Sequence, residues 1–343
     1  MSERHEPLLD TPPRQVLVIY VTRIGDTMLI TPLVRALAQV WPSASIDFLG
    51  SRTSAEVLQN LPFVHRVGSL KKKWVHFQGW LPKKPYDLAI VAGHDGDGPF
   101  VKYAMRMAHH VIAFRQTSDS LNKRLLAAVE KPAFQSCHAV DYLLTLLAPL
   151  NIAADGKHLS YRVSDTEQAW AKQELTSIRT HGNTPLIGLQ IASFPTKSYR
   201  DWPVQNFVEL CQRIRAEHPQ THFLIFGGKL EQERTLALHS ALADCSTHYA
   251  GSLSLRQTGA LMNELDLYIG VDTGPTHIMG ALHRPMVAKY HGSSPSTLLA
   301  PLEHPCLWAV DHPRAGQGFN PDDYSMSEIS VDTVLTKVRE GLA

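Results

Sequence analysis

Two short apolar runs, each opening its own series of strand and helix signals, constrain this chain more than any other feature. Val16–Val21 (VLVIYV) and Leu186–Ile191 (LIGLQI) lack polar alternation, the pattern of strands buried on both faces of a parallel sheet. After the first run, the spacing predicts a loop at 23–27, a helix over 28–40, a strand over 45–50, a helix over 53–60, a strand over 86–93 and a helix over 137–151. A polar helix over 165–181 and a linker-like HGNTP at 181–185 precede the second run. Then follow a helix over 204–217, strand 221–226, helix 231–243, strand 265–271, helix 275–282 and strand 286–290. Such alternation means α/β with open parallel sheets. Two series within 343 residues imply two domains. We place the first at 1–165, a linker at 166–184, the second at 185–324, and a terminal helical segment at 325–343 packing across the junction.

Composition removes several function classes. With 44% hydrophobic and 19% charged residues and a net charge of +1, the chain is neither disordered nor a general nucleic-acid binder. The balance hides an asymmetry: residues 1–164 carry 19 Lys and Arg against 13 Asp and Glu, whereas residues 165–343 carry 14 against 19. A basic first half suits an anionic partner. Cys137, Cys211, Cys245 and Cys306 form no CxxC pair, as expected of reduced thiols in a cytoplasmic protein. The polar N-terminus does not read as a signal peptide, and no apolar run approaches the ~18–20 residues of a membrane span.

Ligands of open parallel sheets bind beyond the carboxyl ends of strands, so the loops there are the candidates. Gly270–His277 (GVDTGPTH) follows a strand and opens a helix with Pro275 in its first turn. Thr273 and Gly274 would present backbone N–H groups to a phosphate, and Asp272 would cap the helix or meet a sugar hydroxyl. Arg23–Asp26 (RIGD) follows the first strand. There Gly25 permits a turn, and Asp26 either caps a helix or takes a proton from an attacking hydroxyl. Lys197 and Arg200 in TKSYRDWP are cations that could neutralise a leaving diphosphate. In FGGKLEQE, two glycines allow close backbone approach, and Glu231 could bind ribose or sugar hydroxyls or complement the helix dipole. Asp95 and Asp97 form an Asp-x-Asp pair of a kind that can hold Mg²⁺ or Mn²⁺, though turns use the same residues. The segment 71–84 (KKKWVHFQGWLPKK) mixes five lysines with aromatics and no acid. It suits a membrane surface or an anionic, partly apolar ligand.

These pieces in this order resemble the bacterial ADP-heptose:lipopolysaccharide heptosyltransferases, glycosyltransferase family 9. The resemblance is carried by RIGDTMLITPLVRALAQVWPSASIDFL at 23–49, YDLAIVAG at 86–93, HAVDYLLTLL at 138–147, RDWPVQNFVELC at 200–211, LIFGGKLEQER at 224–234 and, most specifically, LDLYIGVDTGPTHIMGALHRPMVAKYHGSSP at 265–295. It implies the GT-B architecture, two Rossmann-like domains facing a central cleft, and an inverting enzyme that needs neither metal nor cofactor, the ADP-sugar being a co-substrate. It implies an N-terminal domain for an anionic glycolipid acceptor, with Lys71, Lys72, Lys73 and Trp74 as acceptor-side candidates, and a C-terminal domain for the nucleotide-sugar donor. Asp26 is then the general base. Arg200, or else Lys197, takes the place of the family's phosphate-binding lysine. Glu231 matches the acid near ribose and sugar, and Asp272, Thr273 and Gly274, with His277, form the diphosphate loop. Arg200 itself departs from the lysine of many members, and the cysteine-rich C-terminal segment of some members is missing. The expected location is the cytoplasm, with peripheral contact at the inner membrane. A GT-B enzyme with another donor such as UDP-N-acetylglucosamine, a nucleotide-sugar epimerase and a non-catalytic nucleotide-sugar-binding protein are the alternatives.

Overall fold

The structure, a computed structural model, describes residues 8–93, 98–133, 135–180, 182 and 184–343. The chain divides into two units between Arg162 and Val163. The first holds strands β1 (Gln15–Ile19), β2 (Ser45–Gly50), β3 (Arg66–Ser69), β4 (Tyr86–Val91), β5 (Ala108–Phe114) and β6 (Ala127–Val129) in the order β3-β2-β1-β4-β5-β6. The second holds β7 (Leu186–Gln190), β8 (His222–Phe226), β9 (Ser246–His248), β10 (Leu267–Val271), β11 (Met286–Tyr290) and β12 (Leu307–Asp311) in the order β12-β11-β10-β7-β8-β9. All pairings are parallel. Each unit therefore has the doubly wound strand order of a Rossmann fold, with its order reversing at β1/β4 in the first and β7/β10 in the second.

The strands formed by the two opening runs are buried: Val16, Leu17 and Val18 at the centre of one sheet, Ile187 and Leu189 at the centre of the other, while Tyr20 and Val21 past the first strand are half-buried. Helices cover both faces, so neither strand has a polar side to show. Around them the structure departs from the sequence reading in definite ways. Gly25 and Asp26 lie inside a helix, Ile24–Leu29, rather than in a loop, and Gly25 has no positive φ. A second helix, Thr31–Val40, follows with Pro32 in its first turn, where a missing N–H costs nothing. The segment 53–60 holds only a short 3₁₀ turn, Ala55–Leu58. The helix predicted over 137–151 is α-helical only over Ala139–Leu144 and tightens into 3₁₀ around Pro149.

The stretch taken as a linker folds with the second unit. Its helix, Asp165–Glu174, opens with a reciprocal capping box between Ser164 and Glu167. Glu167 also forks onto Arg256 of the helix Leu255–Met262 at 2.6 and 2.8 Å. Burial would raise the Glu167 carboxyl, but the Arg256 bonds outweigh it and hold it below its ordinary value. The terminal helix, Val331–Leu342, lies along the second sheet, with Val331, Val334, Leu335 and Val338 in that core. Asp95 and Asp97 fall outside the described residues.

Candidate functional site

In the second unit, the loops after β7 and β10 meet where the strand order reverses. Asp272, the first residue past β10, is buried, with its side chain 2% exposed. Its N–H donates to the Lys289 carbonyl of β11 at 3.1 Å, which fixes the turn. It does not cap the following helix, Gly274–Ala281. Thr273 holds the cap position with extended backbone, and no side chain caps that end. Instead Asp272 Oδ2 accepts from Arg200 at 2.7 Å, and its Oδ1 lies 3.4 Å from His277 Nε2. Burial would raise the Asp272 carboxyl. The His277 hydrogen bond and the Arg200 guanidinium overcome that and keep it below its ordinary value. Arg200 Nε and His277 Nδ1 are buried and have no hydrogen-bond partner among the described residues, a state native proteins rarely leave unexplained.

Arg200 ends a 3₁₀ turn, Pro195–Arg200. Two anchors hold this turn. The Trp202 indole is buried and donates to the Ile329 carbonyl at 2.9 Å. Asp201 accepts from the Ser193 N–H at 2.6 Å and pairs with Arg234, which also donates to the Ser193 carbonyl at 2.8 Å. Lys197 Nζ donates to the Tyr199 hydroxyl at 3.1 Å, and the Arg200 guanidinium lies 5.7 Å from the Tyr199 ring centroid. Burial favours the neutral phenol, yet the two cations win and lower its pKa. The loop is therefore a cationic surface beside an uncapped helix amino end, which together suit a diphosphate.

Glu231 follows β8, the strand next to β7, and is buried. Its Oε2 accepts from the Gly228 N–H at 2.6 Å. A Cβ on Gly228 would sit 2.5 Å from that oxygen. Gly228 thus makes room for the carboxylate of its own turn. Burial raises the Glu231 carboxyl, and the backbone hydrogen bonds only partly offset this.

In the first unit, Asp26 sits in the first turn of Ile24–Leu29, just past β1 at that unit's reversal point. Its Oδ2 accepts from the Thr22 hydroxyl at 2.8 Å. The Thr22 carbonyl in turn accepts from Ser54 at 2.9 Å. Asp26 Oδ1 makes no hydrogen bond among the described residues. Burial, with the Asp26 charge second, pushes the neighbouring Tyr20 phenol up and keeps it neutral. Lys71, Lys72, Lys73 and Trp74 are exposed on the stretch after β3.

The family description "Glycosyltransferase family 9 (heptosyltransferase)" matches residues 74–306. The chain belongs to glycosyltransferase family 9. The transferase is 24% identical, over 96% of its length and 99% of the relative's, to lipooligosaccharide heptosyltransferase 2 of Haemophilus ducreyi. It is 24% identical to lipopolysaccharide heptosyltransferase 2 of Escherichia coli K12, over 84% and 86% of the two chains. Among solved structures it is similar to the E. coli ADP-heptose lps heptosyltransferase II, with TM-score 0.74 and 21% identity over 96% and 98%. It is also similar to E. coli heptosyltransferase WaaC with ADP-2-deoxy-2-fluoro heptose, with TM-score 0.69 and 17% identity over 95% and 99%. The expected GT-B fold is therefore the fold of this glycosyltransferase.

Within the family 9 transferase, Arg200, Asp272 and His277 form one bonded cluster. Thr273 and Gly274 adjoin it in the chain, and Lys197 joins through Tyr199. Glu231 makes no direct bond to that cluster among the described residues. The sequence reading missed Asp201, Arg234 and Tyr199, which hold the cationic loop. The Asp in RDWP and the Arg in LEQER stand in the quoted stretches, but 33 residues separate them, and no local spacing announces such a pair.

Proposed function

We propose that this protein transfers heptose from ADP-heptose to the inner core of lipopolysaccharide, in the cytoplasm, with inversion at the anomeric carbon and with no metal or cofactor. Its family and the names of its relatives support the heptose and the lipopolysaccharide acceptor. The observation that carries the donor half is the Arg200–Asp272–His277 cluster beside the uncapped end of Gly274–Ala281, with Arg200 Nε and His277 Nδ1 left unpaired.

In this reading an acceptor hydroxyl attacks the anomeric carbon from the face opposite the diphosphate. Asp26 Oδ1 takes the hydroxyl proton while Thr22 steadies the other carboxylate oxygen. The bond between the anomeric carbon and the diphosphate oxygen breaks, and ADP leaves with the electron pair. The charge it gains is met by Arg200, Lys197 and the amides of Thr273 and Gly274, groups already in place before reaction. Asp272 acts through Arg200 and His277: both its oxygens are engaged, so it positions those two side chains.

The test is turnover of ADP-heptose with a deacylated core acceptor, with and without EDTA, and the product's anomeric configuration by NMR. Asp26→Asn is expected to lower kcat by about 10²–10⁴ and to leave ADP affinity within about twofold. Wild-type turnover in that variant, retention of configuration, or selective binding of UDP over ADP would each refute the assignment it addresses.

A further inference from the structure

We propose that residues 71–84 dock this protein on an anionic lipid bilayer. Ten large hydrophobic side chains are exposed among the described residues, and four of them fall within eight positions: Trp74, Phe77, Trp80 and Leu81, at 51, 76, 73 and 54% exposure. Large apolar groups gathered in this way mark interaction surfaces, whereas scattered ones do not. Lysines flank them on both sides, Lys71–Lys73 before and Lys83 and Lys84 after, all exposed. From Glu56 to Asp87 the sequence contains no acidic residue between those two.

The segment has a fixed seat. Leu70 and Val75 are buried in the core of the first unit. Arg106 donates to the Val75 carbonyl at 2.7 Å and to the Gln78 carbonyl at 3.0 Å, and its guanidinium lies 4.8 Å from the Trp80 ring centroid. The Trp80 indole donates to the His76 carbonyl at 3.2 Å. The apolar side chains therefore point outward from an anchored turn.

The occupant must accept aromatic and aliphatic side chains and supply negative charge around them. A bilayer surface containing anionic lipid does both: tryptophan settles at the headgroup level, and lysine is drawn to the surface potential. A second copy of the chain fits poorly, because a twofold contact would set one lysine cluster against its twin. The same docking would bring the first unit to the surface from which a lipid-linked acceptor is drawn, but the proposal does not depend on the sugar transferred.

The experiment is flotation of the full chain with vesicles of phosphatidylcholine alone or mixed with phosphatidylglycerol, neither carrying lipopolysaccharide. The wild type is expected to float with the mixed vesicles, with blue-shifted tryptophan emission, and to lose binding as salt rises. Phe77→Ser/Leu81→Ser is expected to weaken partition about tenfold or more. Lys83→Glu/Lys84→Glu is expected to weaken it by at least about 25-fold, from about fivefold per lysine. Both variants change exposed side chains, so an unchanged melting temperature and unchanged turnover of a deacylated acceptor show that folding and chemistry are intact. No binding by the wild type overturns the proposal. So does binding indifferent to anionic lipid or to both double substitutions. A third set of vesicles, of phosphatidylcholine with lipopolysaccharide, serves as a control: binding to these alone assigns the segment to acceptor recognition instead and also overturns the proposal. Vesicle binding is read without turnover, so failure of the heptosyl-transfer reading leaves this test standing.

Discussion

Arg200→Ala and Asp272→Asn remove the same ion pair from opposite ends, and the structure predicts unequal costs. The Asp272 side chain is 2% exposed and that of Arg200 is 22% exposed. Without Arg200, a carboxylate is left in the interior. The usual cost of an uncompensated buried charge is ~3–5 kcal/mol, and His277 remains 3.4 Å away to soften it, so we expect about 3 kcal/mol. Without the Asp272 charge, Arg200 is already near water and the asparagine oxygen still accepts its N–H, so we expect about 1 kcal/mol. For a unit of this size those costs correspond to roughly 6–12 °C and 2–4 °C in Tm. Differential scanning calorimetry of the ligand-free protein near neutral pH reads both. The pH dependence has a definite sign. The folded Asp272 carboxyl lies below its ordinary 3.8, so its contribution is fully present above that value and is lost as pH falls through the folded pKa. The gap between wild type and Arg200→Ala should therefore be flat from about pH 5 to 8 and close in stronger acid. An Asp272→Asn cost equal to or larger than that of Arg200→Ala would refute the reasoning, as would a gap that closes near neutrality.

Lys289 is fully buried beside the Phe207 and Trp202 rings, at 4.5 and 4.9 Å from their centroids, and burial pulls its pKa down to about 7. Between about 7 and 10.5 the unfolded chain binds one more proton than the folded one, so wild-type stability rises with pH there. Lys289→Met should be more stable at pH 7 by about 1–3 kcal/mol, and chemical denaturation should show that advantage shrinking toward pH 10. Cys211 is buried and its thiol is pushed well up by burial, while Cys137 and Cys306 are partly exposed. Iodoacetamide at pH 8 followed by mass spectrometry should modify Cys137 and Cys306 long before Cys211, and early labelling of Cys211 would mean the second core opens readily. Glu231→Ala, which removes the acceptor of the Gly228 N–H, should cost about 1 kcal/mol in a melt.

The strands legible in the sequence were the long apolar ones, β1, β2, β4, β7, β8, β10 and β11. The five passed over show weaker patterns. β3, β6 and β9 are three or four residues long, too short to show one, β5 carries two exposed histidines, His109 and His110, at its start, and β12 is an edge strand with four of its five residues only half-buried. Residues 24–27 were read as a loop because Gly25 permits a tight turn. Tertiary contact overrides this, with Thr27, Met28 and Leu29 all buried. At the site, residue types and strand ends could be read, since phosphate chemistry calls for cations and bare amides at predictable places. Which groups bond to each other could not. Asp272 was legible as a cap or sugar contact, yet its partner is Arg200, 72 residues earlier, and the parallel sheet brings them together by placing β7 beside β10.

The Trp202–Ile329 hydrogen bond and the helix Val331–Leu342 also bear on how the protein is made. The first unit draws only on residues up to Arg162, so it can fold while the ribosome is still at work. The cationic loop leans on a segment synthesised some 130 residues after it. Until the last valines of that helix emerge, the second core is unsealed and Trp202 lacks its acceptor. Nascent chains and products of early termination would thus carry a finished first unit and an unfinished second, the kind of half-built molecule that proteases and chaperones select.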